Sequence, residues 1–191
     1  MKKILKIVSS ISVFVLVSTL ALNQAQAATT TVSMSITPGV VTYGAPTSLT
    51  YTATLSASFA AQTLNQDFTG VANYFWAQDL KGADSWYNTT LQLSGNLVNG
   101  WNAISGSAVS FKAVGSITVV SWSTNARVVL DAGTSAYQAL DASKNFIKRN
   151  NAANFGVIGY YAANINLKVD VLAWQPAGAY AGTLVYTLIE N

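Results

Sequence analysis

The chain of 191 residues contains no Cys and no His, and only 9% of it is charged, against roughly 25% in ordinary globular domains. Lacking both residue types, it cannot carry Ser-His-Asp or Cys-His catalysis, zinc or copper sites built on imidazole or thiolate, or disulfides. Its net charge of +3 comes wholly from Lys2, Lys3 and Lys6, so the remainder is balanced and offers no electrostatic footprint for nucleic acid or acidic membranes.

The first 27 residues have a basic front at Lys2, Lys3 and Lys6, an apolar stretch from Ile7 to Leu22 and a small-x-small end at Ala25-Gln26-Ala27. This is the layout of a secretory signal peptide cleaved after Ala27. The rival reading, an uncleaved anchor, wants about 20 unbroken apolar residues. Here Ser9, Ser10, Ser12, Ser18 and Thr19 interrupt the run. No second apolar stretch follows, so residues 28–191 are expected as one exported domain, secreted or surface-attached, without a transmembrane segment. Hydrophobic burial must hold it together.

Strand signals then recur along the chain. TTVSMSIT puts Val32, Met34 and Ile36 on one face. Turn pairs follow at Pro38-Gly39 and Gly44-Ala45-Pro46. SLTYTATLSA alternates Leu49, Tyr51, Ala53 and Leu55 with Thr and Ser, the pattern of a half-buried strand. VANYFWAQDL, NTTLQLSGNL, SITVVSW and NARVVLDA read as further short strands. TSAYQALDASKNFIKRN suggests a short helix near 135–143 with FIKRN returning as a strand. NINLKVDVLAW alternates Ile165, Leu167, Val169 and Val171 with polar residues, and YAGTLVYTLIEN does the same through Leu184, Tyr186 and Leu188 in what reads as a central strand. The expected fold is all-β: an antiparallel two-sheet sandwich, Greek-key or Ig-like, of about eight or nine strands.

Little in the chain suggests chemistry. The carboxylates are Asp67, Asp79, Asp84, Asp131, Asp141, Asp170 and Glu190, and no spacing selects the pair that a glycosidase needs. Asp79 and Asp84 in DLKGADS could join carbonyls around calcium, but turn-capping is the simpler reading and no EF-hand spacing is present. No metal, cofactor or catalytic residue is expected.

Aromatics are more suggestive, because neighbours on a strand point to opposite faces. Trp76, Trp86, Trp122 and Trp174 are expected in the core. Tyr87, Trp101, Tyr160 and Tyr161 could face either way and are the candidates for exposed rings.

Two stretches together resemble the signatures of WxL domains of bacterial surface proteins. In YFWAQDLKGADSWYNTTLQLSGNL the matching positions are Asp79, Leu80, Lys81, Gly82, Trp86 and Leu91. In PAGAYAGTLVYTLIEN they are Ala177, Gly178, Tyr180, Leu184, Tyr186 and Leu188, with Tyr186 standing where the family has Trp. The resemblance implies a β-sandwich held non-covalently on the cell wall through peptidoglycan. A non-catalytic surface protein with a wall polymer or glycan as partner is therefore expected. The alternative is a self-assembling surface-layer or filament subunit, in which the alternating segment after residue 27 adds to a neighbour's sheet edge.

Overall fold

The computed structural model describes Met34 and residues 39–52, 55–56, 58–81, 86–122, 127–150 and 158–190. The chain divides into two compact units, Met1–Ile36 and Thr37–Asn191. The expected signal peptide, the expected strand at TTVSMSIT apart from Met34, Gly82, Asp84 and the Trp122 side chain lie outside the described residues.

Among the described residues the fold is antiparallel β throughout, with three 3-10 turns and no α-helix, hence no helix long and apolar enough to cross a membrane. The strands are β1 (Val41–Gly44), β2 (Gln62–Phe68), β3 (Phe75–Asp79), β4 (Tyr87–Leu93), β5 (Leu97–Asn99), β6 (Asn102–Ile104), β7 (Val109–Trp122), β8 (Val128–Leu130), β9 (Gln138–Ala139), β10 (Lys144–Arg149), β11 (Gly159–Val171) and β12 (Leu184–Glu190). One sheet runs β1-β3-β11-β7-β9, with β2 also on β11. A second runs β12-β4-β10-β8, and β5-β6 is a separate hairpin.

The long β11 organises the first sheet. Its first half pairs with β3 and its second half with β2 along one edge, while β7 follows its other edge. Asn164 sits at the change of partner. Its side-chain amide donates to the carbonyls of Gly70 and Asn73, both at 3.2 Å, and ties down the turn between β2 and β3. β7 carries extra residues opposite β11 at two places, one of them around Gly115 at φ 74°. Such bulges bend a strand and increase its twist, and glycine takes the left-handed conformation at no steric cost.

The second sheet has its own bulge. Pairing between β10 and β4 skips between Asn145 and Lys148. Phe146 and Ile147, adjacent in sequence, are therefore both fully buried. The backbone left out of the ladder is met by buried Thr89, whose hydroxyl donates to the Ile147 carbonyl (3.0 Å) and accepts from its N–H (2.9 Å). Rings from both sheets then meet in one apolar cluster. Phe75 of β3 and Phe111 of β7 contact Phe146 edge-on at 5.9 and 5.7 Å, and Phe75 contacts Tyr186 of β12 at 5.3 Å. Each such ring contributes about 1.5–3 kcal/mol on burial, a large share of a marginal total.

Several expectations from the sequence are corrected. Residues 135–143 form no helix: a 3-10 turn at Ala132–Ser135, capped by the Asp131 carboxylate accepting from the Gly133 N–H, leads into β9. The described part of SLTYTATLSA is not a strand. Leu49 and Tyr51 pack on the core from a segment whose backbone is held by a β2 side chain: the Gln66 amide accepts from the Thr52 N–H (2.8 Å) and donates to the Thr50 carbonyl (3.3 Å). The strand taken instead is β2, whose polar sequence QTLNQDF hides its alternation. Finally β12 is an edge strand rather than a central one, pairing with β4 alone among the described strands.

Candidate functional site

The two ends of β11 mark two ends of the molecule with different chemistry. At the Gly159 end, β3 finishes on Asp79 and β10 on Arg149. Asp79 Oδ2 accepts from the Arg149 guanidinium, and both side chains are 1% exposed. This pair joins the two sheets. Asp79 Oδ1 also accepts from the Lys81 N–H at 3.0 Å, fixing the turn after β3. Leu80 closes the same turn through backbone bonds to Val40 and Gly39, both at 3.1 Å. Lys81 pairs with Glu190 at 2.8 Å and Lys148 with Asp131 at 2.9 Å. A shallow depression here is lined by Trp86, Asn88, Asn145, Lys148, Arg149 and Asn150.

The residues singled out in the first signature are thus mostly structural. Asp79 carries the inter-sheet ion pair, Leu91 is fully buried, and half-buried Trp86 edges the depression. Tyr87 is no exposed ring. It lies in the core, its hydroxyl has no hydrogen-bond partner, and burial, with a smaller contribution from the Asp79 charge, pushes the phenol well above its ordinary pKa. Tyr161 is likewise buried, and Tyr160 is half-buried with its ring edge-on to Trp76 at 5.3 Å. Position decides these cases. Tyr87 is in phase with Leu91 and Leu93, and Tyr161 with Ile165 and Leu167, so both belong to the inward set of a two-residue period.

At the Val171 end the charges are confined to the Lys168–Asp170 pair (2.8 Å) on β11 itself. β11 leaves the sheet, and the chain loops through residues 172–183 before β12. Trp174 holds a left-handed backbone at φ 68°, which costs a residue with a Cβ about 1–2 kcal/mol. Its N–H donates to the Ser58 carbonyl at 2.9 Å. Its ring, 71% exposed, meets the ring of Phe59, 77% exposed, at 4.3 Å between centroids. Trp174 was expected in the core; β11 ends at Val171, and the turn that follows leaves Leu172 and Trp174 exposed.

The loop is closed by neutral bonds. Gln175 donates to the Ala103 carbonyl (3.3 Å) and to the Tyr180 hydroxyl (2.9 Å), and Tyr180 donates to the Pro176 carbonyl (2.8 Å). Ala181 and Val98 exchange backbone bonds at 2.8 and 3.0 Å, which fixes the β5-β6 hairpin against the loop. At the hairpin tip Gly100, at φ 58°, takes the first central position, where two-residue primed turns favour glycine. Trp101 beside it is fully exposed. Tyr186 and Leu188 of the second signature face the core from β12, whereas Ala177, Gly178 and Tyr180 of that stretch lie at this end.

Between loop, hairpin and the start of β2 lies a groove of about 320 Å³. Leu64, Leu97, Ile104 and Val171 form its apolar walls, Gln62 and Gln175 supply amides, and no charged residue lines it. Ser58, Ala60, Leu172 and Gln175, also in its lining, belong to the same two segments as Phe59 and Trp174, whose exposed rings are not themselves part of the lining. A concave, mostly apolar site with a few polar groups is the usual form of a binding pocket. This one can take an uncharged group but has nothing to neutralise a phosphate or carboxylate.

The acidic residues do not converge. Asp67 accepts from Asn166 (2.7 Å), Asp131 from Lys148, Asp170 from Thr63 and Lys168, and Asp79 from Arg149. Among the described residues no three His, Cys, Asp or Glu side chains form a group suited to a metal ion. Sequence reasoning missed Arg149, Phe59 and the outward setting of Trp174, which lies in a turn where strand alternation no longer applies. No family model, curated protein or solved structure matches the chain.

Proposed function

We propose that the protein is an exported, non-catalytic surface module that retains itself on a neutral cell-wall polymer through the end that carries the uncharged groove. The observation that carries this reading is the outward, mutually packed pair Trp174 and Phe59, on the same two segments that line a groove without charge. Two large rings held in water, one on a left-handed backbone, fill no space in the core. Rings so placed stack on the apolar faces of sugar rings, and the Gln62 and Gln175 amides supply neutral hydrogen bonds. In the same reading the two sheets pack face to face as a Greek-key sandwich of WxL type, consistent with the shared aromatic cluster, and the first 27 residues direct export.

The test is sedimentation of the purified protein with washed cell walls. The parent protein is expected in the pellet, and Trp174→Ala and Phe59→Ala each to lower retention by about tenfold, the effect of roughly 1.4 kcal/mol of lost ring contact. A parent that stays in the supernatant, or a Trp174→Ala variant that pellets equally well, would overturn it.

A further inference from the structure

The last strand carries a second surface, on a different part of the molecule from the aromatic groove and independent of what that groove binds. β12 pairs with β4 on one side, and no strand among the described residues pairs with its other side. Long open edges of this kind are templates for further pairing, and proteins usually blunt them with Lys, Pro, a bulge or brevity. β12 has none of these within it. It is seven residues long and carries no charge before Glu190. Its register with β4 is unbroken from Leu184 to Glu190. Its outward face shows Val185, 41% exposed, Thr187, and Ile189, 48% exposed. Beside it Tyr43, itself exposed, meets the Tyr186 ring edge-on at 5.8 Å and extends the apolar surface.

We infer that a second copy of this chain pairs here, β12 against β12, antiparallel about a two-fold axis through Thr187. The strand is self-complementary about that residue. Such an axis pairs each outward Val185 with the partner's Ile189, each inward Tyr186 with the partner's Leu188, and Thr187 with its own equivalent. Every residue of the strand then has an opposite number, and inward and outward sets stay in phase. The two Glu190 carboxylates fall at opposite ends, each opposite a Leu184, so no like charges meet. Apolar and Thr–Thr cross-strand pairs are favourable in this arrangement, and an isologous interface of this type closes as a dimer instead of growing into a filament. The second sheet of each copy continues into the other as one eight-stranded layer.

The absence of native Cys gives a direct test. A Thr187→Cys variant carries a single thiol that meets its own equivalent across the axis, within reach of disulfide geometry. Mild oxidation is expected to convert it to a covalent dimer, while Val185→Cys, opposite Ile189, cross-links at least tenfold more slowly. Sedimentation velocity is expected to show a dimer for the parent and a monomer for Val185→Lys. A monomeric parent, equal cross-linking of the two Cys variants, or a dimer abolished by deleting residues 28–37, which would assign the edge to a donated N-terminal segment, would each overturn the inference.

Discussion

The two ends of this molecule are held shut by different means. At the Arg149 end the scarce charges are concentrated: a buried Asp79–Arg149 pair spans the sheets, and Lys81–Glu190 and Lys148–Asp131 stand around it. At the Trp174 end the loop and hairpin are tied by backbone bonds, Gln175 and the Tyr180 hydroxyl, with no ion at all. In a chain with so few charged residues, the groove at the other end is lined without any, and the Lys168–Asp170 pair of β11 is not part of its lining. The fastened end uses its specific residues for stability and hides its rings. The neutral end exposes rings that stability does not need. The contrast suggests that a Trp in a turn, not a Trp in a motif, is where recognition is to be sought.

The largest expected effect lies in the ion pair. Arg149→Ala leaves Asp79 buried and uncompensated, and urea unfolding should show a loss of about 3–5 kcal/mol. The double variant Asp79→Leu with Arg149→Met removes both charges and should lie much nearer the parent, because ion pairing at such depth barely repays desolvation. If Arg149→Ala costs under about 1 kcal/mol, the scale of a surface pair, the fastening is misassigned and the two ends are alike.

The next effect concerns the tyrosines. Burial raises the pKa of Tyr87 at the fastened end and of Tyr186 between the sheets. In the unfolded chain a tyrosine ionises near pH 10, so above that pH the unfolded state sheds protons that the folded state keeps. Stability from these groups is complete below about pH 10 and falls as pH rises. Tyr87→Phe removes a phenol whose hydroxyl has no partner. It should leave stability at neutral pH unchanged or slightly raised and move alkaline unfolding, followed by circular dichroism, to higher pH. Unfolding at unchanged alkaline pH would show that Tyr87 opens to water before the sheets part.

Trp174→Gly tests the neutral end in turn. Glycine relieves the left-handed backbone while the Phe59 ring contact is lost, two effects of about 1 kcal/mol with opposite sign. Thermal unfolding should therefore stay within about 1 kcal/mol of the parent while wall retention is lost. A large destabilisation would make Trp174 a structural residue and end its assignment as a recognition ring.

Periodicity made the all-β class legible, along with β4, β11 and β12, because those strands alternate cleanly. Its failures are physical. β10 reads irregularly because the bulge buries both Phe146 and Ile147, and no two-residue period survives that. β2 was missed because its outward residues are all polar and its inward set alternates Leu64 and Phe68 with Gln62 and Gln66. Tyr87 and Tyr161 read as open between the two faces, although their phase with Leu91 and Ile165 points them inward, and Trp174 reads as core although it lies in the turn beyond β11. The pairing of Asp79 with Arg149 joins strands 70 residues apart in sequence, and nothing local encodes it. The groove is equally non-local, assembled from the start of β2, the hairpin and the loop after β11.

The smallest effect separates the ends by pH. Burial works against the Asp131 carboxylate, but hydrogen bonds from Lys148 and the Gly133 N–H, with the Lys148 charge, outweigh it and hold the group below its ordinary pKa. A carboxylate so depressed in the folded state adds stability that is present above its unfolded value near pH 3.9 and is lost as pH falls through the lower folded value. Both partners are partly exposed, so the contribution is below about 1 kcal/mol. Lys148→Ala should accordingly cost a few tenths of a kcal/mol at pH 6 and next to nothing near pH 2, in urea titrations at low salt. Trp174→Gly, with no charge around it, should show the same small difference from the parent at both pH values. A Lys148→Ala penalty that persists in acid would mean that the aliphatic stem, rather than the charge, stabilises the fastened end.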